Sequence, residues 1–370
     1  MLREQADRFV REEVIPHGDA WETAGAVPRE TLRKMGSLGL LGIRYPEEYG
    51  GPAMDTVASV VLHEALGKSS YSGFAVTVGV HSEMASPHLA RFGTAAQKAK
   101  YLPGIIKGEI ITAIGVTEPD AGSDVAGIRT NAKRKGNNAW VLNGSKMFIT
   151  NGVLADVYFI AAKTDPTAKG SRGVSIFIVD KNTKGFKVAR KLDKMGWRCS
   201  DTAELVFEDC EVPAENMLGE ENKGFYSIMQ NFQNERLVAG AIALGECAKA
   251  MELTVDYVKT RKAFGATLWD KQLVRTRLAE LASKIEAARQ LTYHTAWLDQ
   301  QGIDCVKEVS MVKAILGELV NEVMYKCLQF HGGSGYMRET PIERMYRDAR
   351  VQAIGGGATE VMLEEIAKRM

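Results

Sequence analysis

Apolar residues return at helical period from the first residues of the chain. Leu2, Phe9, Val10 and Val14 mark one stripe, and 31–39 and 56–66 repeat the habit. Clusters rich in Gly and Pro at 45–52 and 103–108 punctuate this helical region. From about residue 114 to 221 the pattern shortens to apolar or alternating runs at 140–142, 157–162, 174–179, 186–189 and 204–207. Gly-Asn, Asn-Gly and Lys-Gly pairs separate them, which predicts a small β domain. After Gly224 helical period resumes over 225–260, 272–300, 304–331, 341–353 and 358–369, with breaks at Phe264-Gly265, Gly302 and the run HGGSGY. Strands flanked by helices, without regular βαβ alternation, argue against a doubly wound nucleotide fold. The expectation is an α+β chain of three domains, 1–113, 114–221 and 222–370, the last a helical bundle.

One position breaks the pattern. Within 225–244, FYSIMQNFQNERLVAGAIAL, Glu235 shares a helical face with Ile228, Phe232, Val238, Ala239 and Ile242. An ionised carboxylate on an apolar face is costly unless it is paired or shifts its pKa. Glu235 is therefore either the partner of a basic residue elsewhere or a candidate acid or base.

Composition narrows the classes. A chain of 370 residues exceeds one ordinary core, in keeping with several domains. Forty-seven basic residues against 46 acidic ones give no concentrated field for nucleic acid or a polybasic membrane surface. No apolar run reaches the roughly 18–20 residues that span a bilayer, and MLREQADRFVREEV is a charged amphipathic segment rather than a signal peptide. A soluble intracellular protein is expected, cytoplasmic if bacterial and in the mitochondrial matrix if eukaryotic. Cys199, Cys210, Cys247, Cys305 and Cys327 show neither a disulfide framework nor zinc spacing, and the six histidines show no metal pairing. Gly67-Lys68-Ser69 lacks the first glycine of a phosphate loop and reads as a helix end. Asn143-Gly144-Ser145 matches a glycosylation acceptor and reads as a turn.

Four stretches carry candidate chemistry. Residues 115–127, GVTEPDAGSDVAG, offer hydroxyls and free amides for a polar ring edge or a phosphate. Phe148-Ile149-Thr150-Asn151-Gly152 closes a strand with an aromatic face beside a hydroxyl. Residues 329–336, QFHGGSGY, interrupt a helix with three glycines and let backbone approach a ligand. Gly355-Gly356-Gly357 parts two helices, as a hinge or as space with an exposed amide.

Together these residues resemble the acyl-CoA dehydrogenase family over nearly the whole chain. One signature is similar to 115–127, and a second to 329–348, QFHGGSGYMRETPIERMYRD, with Gln329, Gly332, Gly333, Gly335, Tyr336, Glu339, Arg344 and Asp348 in place. The resemblance implies an N-terminal helical domain, a middle β-barrel or sandwich and a C-terminal four-helix bundle, with FAD held between domains and across a subunit interface. It places Thr117, Ser123, Phe148 and Thr150 along the flavin and pyrophosphate, Arg261, Phe264, Gln329 and Gly333 toward the adenine half in a neighbouring subunit, and Thr359 at the cofactor. It implies a homotetramer built as a dimer of dimers and electron-transferring flavoprotein as electron acceptor.

In this family a Glu abstracts the α-proton of an acyl-CoA thioester while hydride leaves the β-carbon for the flavin, giving a trans-2-enoyl-CoA. Many members carry that Glu where this chain has Gly356. The long-chain and isovaleryl branches carry it on a helix in a Glu-Arg-Leu context, which Glu235-Arg236-Leu237 matches. The resemblance thus makes Glu235 the base, with the Gly356 amide as donor to the thioester carbonyl. Ser123, Ser171, Arg236 and Gly355 resemble substrate contacts. The wording of 222–237 resembles the long-chain branch, and Ile354-Gly355-Gly356 the isovaleryl pattern, so a long or branched acyl chain is expected. Ala358 stands where the family usually has a hydroxyl, and Phe148 where Trp is common. The alternatives are an acyl-CoA oxidase, or a non-catalytic flavin-containing binding or assembly protein on the same fold.

Overall fold

The computed structural model describes residues 1–168 and 170–370. Seven helices open the chain: α1 (Leu2–Phe9), α2 (Gly18–Ala24), α3 (Arg29–Ser37), α4 (Thr56–Gly67), α5 (Ser72–Gly79), α6 (Pro87–Phe92) and α7 (Ala95–Ile106). Side-chain caps set two of their starts. Asp55 accepts from the Ala58 amide at 2.7 Å ahead of α4, and Thr94 and Gln97 form a reciprocal capping box ahead of α7. Helices α4 and α5 are buried on nearly every side, as their continuous apolar and small residues require. A π-helical turn, Val80–Ala85, follows α5 directly.

The middle region is one mixed sheet of β1 (Thr112–Gly115), β2 (Asn131–Lys135), β3 (Ala139–Thr150), β4 (Val157–Lys163), β5 (Val174–Asp180), β6 (Phe186–Lys191), β7 (Thr202–Pro213) and β8 (Met217–Leu218). Its order is β6-β7-β3-β2-β4-β5-β8, and β1 pairs in parallel with β4. The sheet wraps around its own core. Tyr158 on β4 meets Phe186 on β6 with centroids 4.6 Å apart, and Trp140 on β3 meets Phe177 on β5 at 5.5 Å, although neither pair lies on neighbouring strands. The expected turn at Asn143-Gly144-Ser145 is corrected. These residues lie inside β3 at a register shift against β7, where Gly144 takes φ +144° and the strand bends without reversing. Pairing with β7 overrides the local turn signal.

A buried pair ties the first glycine-rich stretch to this sheet. Fully buried Lys146 on β3 donates to Glu118 at 2.8 Å and to the Val116 carbonyl at 3.0 Å. Glu118 also accepts from the amides of Arg129 and Thr130. Both charges are thus satisfied, as burial demands.

The C-terminal region holds α8 (Gly224–Thr260), a small hairpin of β9 (Lys262–Ala263) and β10 (Ala266–Thr267), and then α9 (Gln272–Gln300), α10 (Val306–His331), α11 (Pro341–Ala349) and α12 (Thr359–Ala367). Helices α8, α9 and α10 share a core that includes Leu237, Leu244, Leu281, Ile285, Leu316 and Val320. All five cysteines are free and buried. Among the described residues no helix is long and apolar enough to cross a membrane.

Helix α8 is fixed to α4 by contact between backbones. A Cβ built at Gly67 would stand 2.2 Å from the Ile242 carbonyl oxygen, and one at Gly245 2.0 Å from the Glu64 carbonyl oxygen. Gly245→Ala forces the two helices apart. It is expected to destabilise the fold by about 2–3 kcal/mol, measured as a lower urea midpoint; an unchanged midpoint would mean that the crossing yields at no cost.

Candidate active site

Glu235 lies in the first half of α8, and the side of α5 and the π-turn packs against its face. A Cβ at Gly79 would touch Val238 and Ile242 of α8, at 3.7 and 3.6 Å, and Met84 of the π-turn at 3.8 Å. Among the described residues no cation pairs with Glu235. Its carboxylate accepts from the side-chain amide of Asn231, one helical turn earlier, at 3.0 Å. Burial raises its pKa to about 8, while the Asn231 hydrogen bond and the charge of Arg236 act in the opposite direction. The ion-pair reading of Glu235 therefore has no partner here, and the acid–base reading gains one physical support.

Two other carboxyls are also pushed up by burial, Glu246 to about 8 and Asp348 to about 7. Both are closed off. Glu246 is 1% exposed and is bonded by Ser72 and Gln352; Asp348 is 0% exposed and accepts the Trp197 amide at 2.7 Å. Glu235 as a residue retains 9% exposure, so of the three it is the one not sealed from the surface.

The glycine turn after the short 3-10 segment Arg350–Ala353 stands next to this part of α8. Gly356 is exposed with φ +66°, a conformation that favours glycine, and Gly357 follows at φ +108°. Arg236 is buried, with its guanidinium 5.4 Å from the Phe232 ring centre, and its Nε would be 3.5 Å from a Cβ at Gly357. Lys313 of α10 lies beneath the turn. Its ammonium donates to the carbonyls of Gln352 at 2.6 Å and Gly357 at 3.0 Å, bracketing the glycines, and burial lowers its pKa to about 8. Sequence reasoning passed over both Asn231 and Lys313. Lys313 carried the same signal as Glu235, a charge on the apolar stripe of Val309, Leu316 and Val320.

The remaining sequence candidates fall into separate places. Thr117 is half-buried beside β3, its carbonyl accepting from the Met147 amide at 2.9 Å, which puts it next to Phe148. Phe148 is 67% exposed at φ +61°, Thr150 pairs with Thr202 of β7, and Ser123 is exposed in the connecting loop. Arg261 and Gly333 line one cavity of about 280 Å³ with Tyr257, Phe330 and His331. Phe264, 97% exposed at φ +54°, and exposed Gln329 are not among its lining residues. Thr359 donates to Glu318 at 2.9 Å, Ser171 is half-buried in the β4–β5 connection, and Gly355 is exposed.

Comparison with known proteins covers the same ground. Residues 1–109, 113–210 and 222–370 match the family descriptions acyl-CoA dehydrogenase N-terminal, middle and C-terminal domain. The chain is 45% identical to the mitochondrial long-chain specific acyl-CoA dehydrogenase of Mus musculus, over all of this chain and 86% of that protein. It is 39% identical to the mitochondrial isovaleryl-CoA dehydrogenase of Pongo abelii, over 97% and 85%. The crystal structure of an acyl-CoA dehydrogenase from Geobacillus kaustophilus superposes with a TM-score of 0.97 at 44% identity, covering 100% of this chain and 97% of that one.

The buried carboxyls set a pH dependence of stability. Glu235, Glu246 and Asp348 stay protonated in the fold up to about pH 7–8 but ionise near 4–4.5 when unfolded. Their contribution is full below the unfolded pKa and is lost as pH rises through the folded one. Glu246→Gln is expected to match the parent's urea midpoint at pH 5 and to exceed it at pH 8. Equal midpoints at both pH values would show that Glu246 does not titrate in this way.

Proposed function

The chain belongs to the acyl-CoA dehydrogenase family, and from that premise we propose that it converts an acyl-CoA thioester to the trans-2-enoyl-CoA, with Glu235 as the base and FAD as the cofactor. The observation that carries this reading is a carboxyl without a cation partner, on an apolar helix face, raised to about 8, in a residue not fully sealed from the surface. An α-proton beside a thioester is a weak acid, so a base tuned toward neutrality is the useful one.

The residues present fit FAD. Phe148 and Phe264 hold aromatic rings in solvent at positive φ, and the cavity at Arg261 and Gly333 pairs a cation with exposed backbone. Thr117, Ser123, Phe148 and Thr150 would hold one part of the cofactor, and Arg261, Phe264, Gln329 and Gly333 of a neighbouring subunit another, with Thr359 near by. When bound, FAD supplies the acceptor for the β-hydrogen as hydride.

This chain's own part is the proton and the carbonyl. Glu235 takes the α-proton onto its carboxylate. The Gly356 amide, with no side chain to shield it, donates to the thioester oxygen, and Lys313 holds the turn that presents it. Val76, Val80, Met84, Phe232, Val238 and Ile242 offer an apolar wall for the acyl chain. Likeness to both long-chain and isovaleryl enzymes supports a long or branched substrate. Gly355, Arg236 and Ser171 are the further substrate contacts in this reading, with buried Arg236 beside the glycine turn rather than out on the surface. Exposed Phe264, Leu273, Tyr325 and Tyr336, and an apolar groove between α9 and α10 at Leu291, Ile315 and Leu319, support assembly into a dimer of dimers. Electron-transferring flavoprotein is the proposed acceptor, in the bacterial cytoplasm or the mitochondrial matrix.

The test is anaerobic titration of the flavin absorbance with straight and branched acyl-CoAs of graded length. The parent is expected to bleach, and Glu235→Gln to retain flavin and bind acyl-CoA while bleaching about 10³-fold or more slowly. Near-normal bleaching in that variant would sink the assignment, and stoichiometric H2O2 in air would make the enzyme an oxidase. Because the base must be ionised, kcat/KM is also expected to fall about tenfold per pH unit below about pH 8.

A further inference from the structure

We propose that Asn231 is a positioning residue for the base: its side-chain amide fastens the Glu235 carboxylate to the wall formed by the π-turn and favours the ionised form. The inference rests on the assignment of Glu235 as base. Asn231 is fully buried, and its Nδ2 lies 3.0 Å from Glu235 Oε1, 3.0 Å from the Met84 carbonyl and 3.2 Å from the Glu83 carbonyl. This arrangement fixes which end of the amide faces the carboxylate. A flipped amide would set its oxygen against the two backbone carbonyls, which can only accept. One N–H therefore points to Glu235, and the other is shared by the two carbonyls.

The acceptors come from the wider π-helical turn, Val80–Ala85. Asn234, one residue before Glu235, uses the same wall. It donates to the Glu83 carbonyl at 2.8 Å and to the Glu83 carboxylate at 3.0 Å, and it accepts from Arg44 at 2.6 Å. Two asparagines thus lock this stretch of α8 onto the turn, and one of them reaches the base. The charged and titratable groups around the junction are Arg236 on α8, Glu83 and His81 on the π-turn, His63 of α4, Arg44 beside Asn234, Tyr45 and Arg91 near Glu83, and Lys313 across the glycine turn. Of these, Arg236 is the one whose charge acts on Glu235, favouring its ionised form as Asn231 does.

An amide N–H donating to a carboxylate stabilises the anion over the acid. Removing it lets burial act with less opposition, so the base stays protonated to higher pH. Asn231→Leu is compared with the parent by the pH profile of kcat/KM, with bound flavin quantified by absorbance. The acid limb is expected to move up by about one to two pH units, the size of one hydrogen bond to an ionised group, and the rate at pH 7 to fall about tenfold or more. Asn231→Asp, which puts a second carboxyl beside the first, is expected to move the limb in the same direction and provides a second route should the leucine variant fail to bind flavin. A limb unmoved in the flavin-loaded variants overturns the proposal. If Glu235→Gln is inactive while Asn231→Leu follows the parent profile, the base stands and its positioning residue falls; if Glu235→Gln turns over normally, the assignment of the base has failed first.

Discussion

The structure depends on a crossing at which two helices meet without side chains between them. At Gly67 and Gly245 the backbones of α4 and α8 approach so closely that one added carbon on either would overlap a carbonyl oxygen. The contact leaves no slack along or across α8, because interior packing transmits a displacement instead of absorbing it. Ten residues before Gly245 on the same helix stands Glu235. The helix that carries the candidate base is thus registered against the N-terminal domain by hard contact, and against the rest of the bundle by Gly240, where a Cβ would press on Val312 at 2.5 Å.

On that frame, buried charge is distributed unevenly. Lys146 and Glu118 satisfy one another and several backbone groups, and Glu64 is met by Arg3, Arg289 and Tyr293. These are closed arrangements, built so that nothing further is required of them. Around Glu235 the pattern differs. The carboxyl has one amide donor, Arg236 leaves its Nε without an acceptor among the described residues, and Lys313 binds only carbonyls. Three charged groups without a charged partner among the described residues, gathered beside the glycine turn, separate this region from the paired ionic contacts at Glu118 and Glu64.

Much of this could be read in the sequence where one face of an element repeats. The long C-terminal helices declared themselves by period, and 272–300 matches α9 end to end. Glu235 was visible because it interrupts such a repeat. What stayed hidden depends on partners distant in the chain. Strand β2, Asn-Ala-Lys-Arg-Lys, is polar and largely exposed, and is held by pairing with β3 and β4 rather than by any pattern of its own. Asn143-Gly144 looked like a turn because local propensity ignores the β7 strand that straightens it. Asn231 is an unremarkable helical polar residue until a π-turn nearly 150 positions earlier buries it. Position in the pattern identified the odd carboxylate, but only the fold could supply what touches it.

The five free thiols have a consequence outside catalysis. Cys199, Cys210, Cys247, Cys305 and Cys327 are all buried, and burial holds their pKa values above that of an ordinary thiol, Cys210, Cys305 and Cys327 to about 11. Thiolate is the reactive form, and none of these groups forms it readily while the chain is folded. They stand at and after residue 199, in β7, α8, α10 and the connections beside them, so each of those regions exposes its own sulfur when it opens. Alkylation by a small electrophile therefore serves as a built-in clock for breathing of the fold, resolving by peptide mass which region opens first without any label being introduced.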